Sequence, residues 1–95
     1  MYGTVAQMTL KPGMGQQLAE QLAGFEEQRA PGFVRTTVYR LDSDENQYLV
    51  AVVFDSKESY TANAASPGQN ERFEAMSALL AAEPVWNDGE VIHST

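Results

Sequence analysis

The sequence predicts an α+β domain of the ferredoxin-like kind, βαββαβ with one antiparallel sheet. Three observations carry that prediction. The stretch Tyr48-Leu49-Val50-Ala51-Val52-Val53-Phe54 has no charge, Gly or Pro and is rich in β-branched and aromatic side chains, so it reads as a strand. Its apolar residues occupy both faces, since successive side chains of a strand point to opposite sides. The polar run Asp42-Ser43-Asp44-Glu45-Asn46 joins it as a hairpin to Phe33–Leu41, and one helical region lies before this hairpin and one after it. Two helical regions cover only one side of a small sheet. The second side then needs cover, and a second copy of the chain is the simplest source.

In chain order, Tyr2 to Leu10 sets Tyr2, Thr4, Ala6, Met8 and Leu10 against Gly3, Val5, Gln7 and Thr9, the pattern of a strand with one strongly buried face. Lys11-Pro12-Gly13 ends it. Met14, Leu18, Leu22 and Phe25 recur every three or four residues, predicting a helix from Met14 to about Arg29. Pro31-Gly32 stops the helix, and Phe33–Leu41 follows as a strand whose Arg and Thr residues suit a sheet edge. After Phe54, Asp55 and Glu58 form a capping-box pair for a short helix over Lys57–Ala65. Ser66-Pro67, with Gln69 three residues after the Ser, signals a new helix start, with a stripe of Phe73, Met76, Leu79 and Leu80. That helix must end before Pro84. Asn87-Asp88-Gly89 reads as a turn and Glu90–Ser94 as a final alternating strand.

Ninety-five residues make one domain, 1–95, near the lower size limit for a self-sufficient core; such a chain buries about 60–70% of its unfolded surface. Six Lys and Arg against 13 Asp and Glu give a formal charge of −7, which opposes binding to nucleic acid or to anionic membranes. There is no cysteine, hence no disulfide framework and no thiolate ligand or nucleophile. No apolar run reaches the length of a membrane span, and Met1-Tyr2-Gly3-Thr4 enters a strand pattern without a signal-like block. The expectation is a soluble, cytoplasmic protein.

Several chemistries are poorly supported. Asp42, Asp44 and Asn46 have the opening spacing of a calcium loop, but Gln47 replaces its Gly and Val53 its bidentate Glu. Gly13-Met14-Gly15 starts like a dinucleotide fingerprint, but Leu18 takes the third Gly position. One His and no Cys make a transition-metal site improbable.

Four segments together resemble the antibiotic biosynthesis monooxygenase (ABM) family of the dimeric α/β-barrel superfamily, across essentially the whole chain. They are Leu10-Lys11-Pro12-Gly13 after the first strand, Pro31-Gly32-Phe33, Val53-Phe54-Asp55-Ser56, and Ala62-Asn63-Ala64-Ala65-Ser66-Pro67 followed by Phe73. The resemblance implies a homodimer whose sheets close face to face into a barrel, often with crossing C-terminal segments. It also implies oxidation of a small aromatic or quinol-type molecule by O2 without metal or flavin. Many relatives carry a His where this chain has Asn63, and often a Trp where Phe54 stands, and haem-degrading relatives use an Asn on the first strand, where Gln7 is the nearest polar residue. Haem degradation is therefore disfavoured. A non-catalytic or stress-related dimer that holds a small apolar ligand is the alternative.

Within that reading the candidate catalytic residues are Asn63, Trp86 and His93, and the candidate substrate-binding residues are Arg35, Tyr39, Tyr60 and Phe73. Asn63 suits a hydrogen bond to a substrate oxygen, or the capping of a short helix. Trp86 suits an aromatic wall, or a core or dimer contact. His93 is the one side chain that titrates near neutrality when unperturbed, yet it lies near the C-terminus, where a surface role is the plainer reading. Arg35 and Tyr39 share a strand face with Thr37 and orient an oxyanion if that face looks into the barrel, or are ordinary edge-strand residues if it looks outward. Tyr60 and Phe73 pack helices onto the sheet or line the pocket.

Overall fold

The computed structural model describes residues 1–27 and 30–95. Its elements follow in the order β1 (Tyr2–Thr9), α1 (Gly15–Glu27), β2 (Phe33–Arg40), β3 (Gln47–Phe54), α2 (Lys57–Ala64), α3 (Pro67–Ser77) and β4 (Asp88–Glu90). The four strands form one antiparallel sheet in the order β2-β3-β1-β4. The all-apolar β3 is thus interior and the Arg- and Thr-bearing β2 is an edge, as their compositions require.

Register decides which side chains share a face. Tyr2, Thr4, Ala6 and Met8 stand opposite Phe54, Val52, Val50 and Tyr48, and residues directly opposite project to the same side. Leu18 and Leu22 of α1 and Met76 of α3 join the core cluster that contains Ala6, Met8, Tyr48 and Val50, with Leu10 and Leu80 at its margin. Each large apolar side chain buried there stabilises the fold by about 1.5–3 kcal/mol. On the other face lie Val5 and Gln7, Leu49, Ala51 and Val53, and Arg35, Thr37 and Tyr39. That face is open: Val5 is 45% exposed, Val85 55% and Tyr39 58%. Only one of the two apolar faces predicted for β3 is covered within the chain.

The Pro31-Gly32 turn fixes where β3 ends relative to β2. Gly32 has φ +83°, a region open to Gly and strained for other residues. Its carbonyl accepts from the Asp55 N–H at 2.8 Å, and a Cβ there would strike Ser59 and Asp55. With the Asp55 N–H so engaged, the cap of α2 falls to Ser56, whose hydroxyl accepts from the Ser59 N–H at 3.1 Å. This corrects the Asp55 cap expected from sequence.

Two further boundaries follow from pairing with β1. α3 ends at Ser77, before Pro84 as expected, and leaves Leu79 and Leu80 of the predicted stripe beyond it, because Leu80 bridges to Leu10 and the Ala81 N–H bonds the Thr9 carbonyl at 2.8 Å. The final strand is Asp88–Glu90 rather than Glu90–Ser94. Tyr2 pairs with Glu90 and the Val91 N–H reaches the Met1 carbonyl, and beyond Val91 the segment makes no strand pairing among the described residues. The predicted end of the first helix near Arg29, and the side chain of Phe25, lie outside the described residues. No helix among the described residues is long and apolar enough to cross a membrane.

Candidate functional site

Between the sheet and the α2–α3 pair lies a cavity of about 360 Å³, within the range of small-molecule sites. Its floor is the helix-covered sheet face, with Thr4, Val52 and Phe54 among the lining residues. Its roof comes from the two helices, and Trp86, on the segment leading into β4, forms part of the wall.

The elbow between α2 and α3 assembles the polar part of the roof. Ser66 caps α3 by accepting from the Gln69 N–H at 3.2 Å, and donates its own hydroxyl proton to the Asn63 carbonyl at 2.8 Å. The last turn of α2 is thereby held against the first turn of α3. Gln69 and Arg72, three apart on α3, project to the same side. The Arg72 guanidinium donates to Gln69 Oε1 at 3.2 Å and to Asn63 Oδ1 at 3.5 Å, and Asn63 Nδ2 donates to Gln69 Oε1 at 3.4 Å. The two bonds to Asn63 are at the long limit for such contacts, so its amide has capacity to turn toward another partner.

Aromatic rings line the rest. Tyr60 packs edge-on against Phe54 at 5.7 Å and Tyr2 at 5.3 Å, and Phe73 faces Trp86 at 6.0 Å. The Tyr60 hydroxyl donates to Asp88 Oδ1 at 2.9 Å. Burial first, then that hydrogen bond to Asp88 and the carboxylate's charge, pushes the phenol up to about 12. The Thr4 hydroxyl lies near enough to pull against the rise, but the two hydroxyls do not meet in hydrogen-bonding geometry, and Thr4 Oγ1 has no partner among the described residues.

Of the residues singled out from sequence, the cavity brings together Asn63, Trp86, Tyr60 and Phe73. The other three do not line it. Arg35 and Tyr39 project from the opposite sheet face, where Arg35 donates to the Ser94 hydroxyl at 2.9 Å. His93 is exposed on the segment after β4, next to Ile92, which is 93% exposed. Sequence reasoning missed Thr4, Gln69 and Arg72. Gln69 and Arg72 each precede a residue of the α3 apolar stripe, Phe73 and Met76, by one helical turn, and that spacing places them at the edge of the buried face. Thr4 is a hydroxyl between Tyr2 and Ala6 on the strongly buried face of β1. Among the described residues no three His, Cys, Asp or Glu side chains gather as a metal site.

A family model described as antibiotic biosynthesis monooxygenase matches residues 1–75. Among solved structures, the cofactor-independent oxygenase SnoaB of Streptomyces nogalater, determined as an Asn-to-Ala variant, is 23% identical with a TM-score of 0.81, over 98% of this chain and 94% of its own. A candidate antibiotic biosynthesis monooxygenase of Deinococcus radiodurans is 14% identical with a TM-score of 0.80, over 100% of this chain and 96% of its own. A conserved protein of Methanosarcina mazei is 19% identical with a TM-score of 0.80, over 93% and 89%. At these identities the neighbours establish the fold. No curated protein sequence matches the chain.

Proposed function

Since the chain belongs to the antibiotic biosynthesis monooxygenase family, we propose that it is a cofactor-independent monooxygenase that oxidises a small aromatic or quinol-type substrate with O2. The observation that carries this reading is the cavity itself: an apolar, ring-lined slot with the Asn63–Gln69–Arg72 cluster in its roof. An electron-rich phenolate or enolate reduces O2 by itself. The protein has then to hold the flat ring, favour its ionised form and exclude water. The Arg72 guanidinium and the Asn63 amide put a positive charge and a donor where an ionised oxygen gains most from them. Trp86 and Phe73 supply the ring contacts.

Residues 1–95 act as one domain in this reading, and the active species is a homodimer in the cytoplasm. Family members are generally small dimeric proteins, and the open sheet face is apolar along its middle strands, as a surface covered by a second copy would be. One observation favours a second reading, a non-catalytic module that holds a small apolar ligand: the only histidine lies outside the cavity. No described lining residue of the cavity is then a histidine, the usual base at neutral pH.

O2 uptake with a panel of anthrones and hydroquinones, in the presence of a chelator, separates the two readings. Turnover well above the uncatalysed rate is expected, reduced at least about tenfold in Asn63→Ala and less in Trp86→Phe, the loss of one oriented donor being worth that much. Binding of the panel without any turnover establishes the second reading instead.

A further inference from the structure

The floor of the cavity carries a feature that the proposed reaction leaves unused. Thr4 is 5% exposed, and its Oγ1 makes no hydrogen bond among the described residues. Folded proteins seldom leave a buried hydroxyl unpaired, and one that lines a cavity is placed to bond a water or a molecule that the cavity holds. Register places Thr4 directly opposite Asp88 on β4, so both side chains project to the cavity side. Asp88 in turn accepts the Tyr60 proton at 2.9 Å. With that proton engaged, the Tyr60 oxygen can only accept, whereas the rotatable Thr4 hydroxyl is free to donate. A donor and an acceptor thus stand close together at one end of an apolar slot.

We propose that Thr4 and Tyr60 read a hydroxyl group on the ring that enters the cavity. The ligand oxygen accepts from Thr4 Oγ1 and the ligand hydrogen is donated to Tyr60 Oη. A phenolic hydroxyl satisfies both partners. An ether or a keto oxygen satisfies Thr4 alone, and a bare arene satisfies neither. The pair is accordingly a specificity device: it favours a hydroxylated ring over the quinone that oxidation would leave, and so helps product to depart. The assignment rests on reading this cavity as the substrate site, but it concerns recognition and is tested without turnover.

The experiment is calorimetric titration of the purified protein with 1-naphthol and with naphthalene. The wild type is expected to bind 1-naphthol at least about tenfold more tightly, the worth of two modest hydrogen bonds. Thr4→Val and Tyr60→Phe should each weaken 1-naphthol about fivefold and leave naphthalene within about twofold. Thr4→Ser, which restores the hydroxyl, should recover the preference. An equal affinity for the two probes in the wild type overturns the proposal, as does a preference that survives both substitutions or a parallel loss of both probes. O2 uptake is read separately. Hydroxyl preference without O2 uptake sinks the monooxygenase and leaves this assignment standing, and the reverse result does the opposite.

Discussion

The two faces of the sheet are made by the same strands, in the same alternation, and reach different ends. On one face Ala6, Met8, Tyr48 and Val50 are closed over by α1 and α3, and the space left beneath α2 and α3 becomes a cavity. On the other, beside Ala51 and Val53, Val5 and Tyr39 stay 45% and 58% exposed. A strand such as β3, apolar on both sides, states how much surface must be covered but not by what. The difference teaches that the chain is complete as a fold on one side and, in our proposal, complete as a molecule only when a second copy closes the other.

The sharpest way to break this comparison is to place a charge on the open face. Val53→Asp should abolish the dimer, weakening association more than about a hundredfold, because an unpaired carboxylate would be buried at its centre. Sedimentation velocity checks it. A variant that sediments like wild type would mean that this face is not the interface. Next in size is Met8→Ala on the helix-covered face, where the side chain is 1% exposed. It should cost about 2–5 kcal/mol in urea unfolding. Val5→Ala, one strand position pair away on the open face, should cost less than about 1 kcal/mol at concentrations that leave the protein monomeric, and more once the dimer forms. Equal costs at all concentrations would remove the contrast between the faces.

The smallest effect sharpens the cavity side. Tyr60 has its folded-state pKa raised to about 12 from the usual 10.0, so the proton is held more tightly in the folded protein. Its contribution is fully present below pH 10 and is lost as the pH climbs toward 12, since there the unfolded chain has released a proton that the folded one keeps. Thermal melts between pH 10 and 12 should show a shallower decline for Tyr60→Phe than for wild type. An identical slope would mean that the Asp88 bond does not hold the phenol proton in solution.

Much of the architecture was legible because it depends on local pattern. Alternation in Tyr2–Thr9, the charge-free run of β3 and the Ser66-Pro67 break each state their structure within a few residues. The end of the chain was not legible. Glu90–Ser94 alternates as a strand should, but a strand exists only where a neighbour offers backbone, and among the described residues the pairing runs no further than Val91. The site was half legible for a related reason. Asn63, Tyr60, Phe73 and Trp86 are marked by residue type, whereas Gln69 and Arg72 look like the wet side of a helix until the elbow at Ser66 turns them over the sheet. Arg35 and Tyr39 lie away from this cavity, on the open face, because a sequence shows that two residues share a face, not which face the helices choose.

The strand order has a consequence for how the protein is made. β1 lies between β3 and β4, and both are translated after it. The first strand therefore leaves the ribosome with two open edges and neither partner yet synthesised. It must wait for the hairpin, and the second edge stays bare until the segment from Leu79 to Glu90, which bonds it along its length, has emerged. Nascent chains of this protein carry an apolar, unpaired strand for most of their synthesis, the condition in which edge-to-edge association between neighbouring chains competes with folding. Protection of that strand by a chaperone, or slow crowding-free expression, should raise the yield of folded protein more than any stabilisation of its finished core.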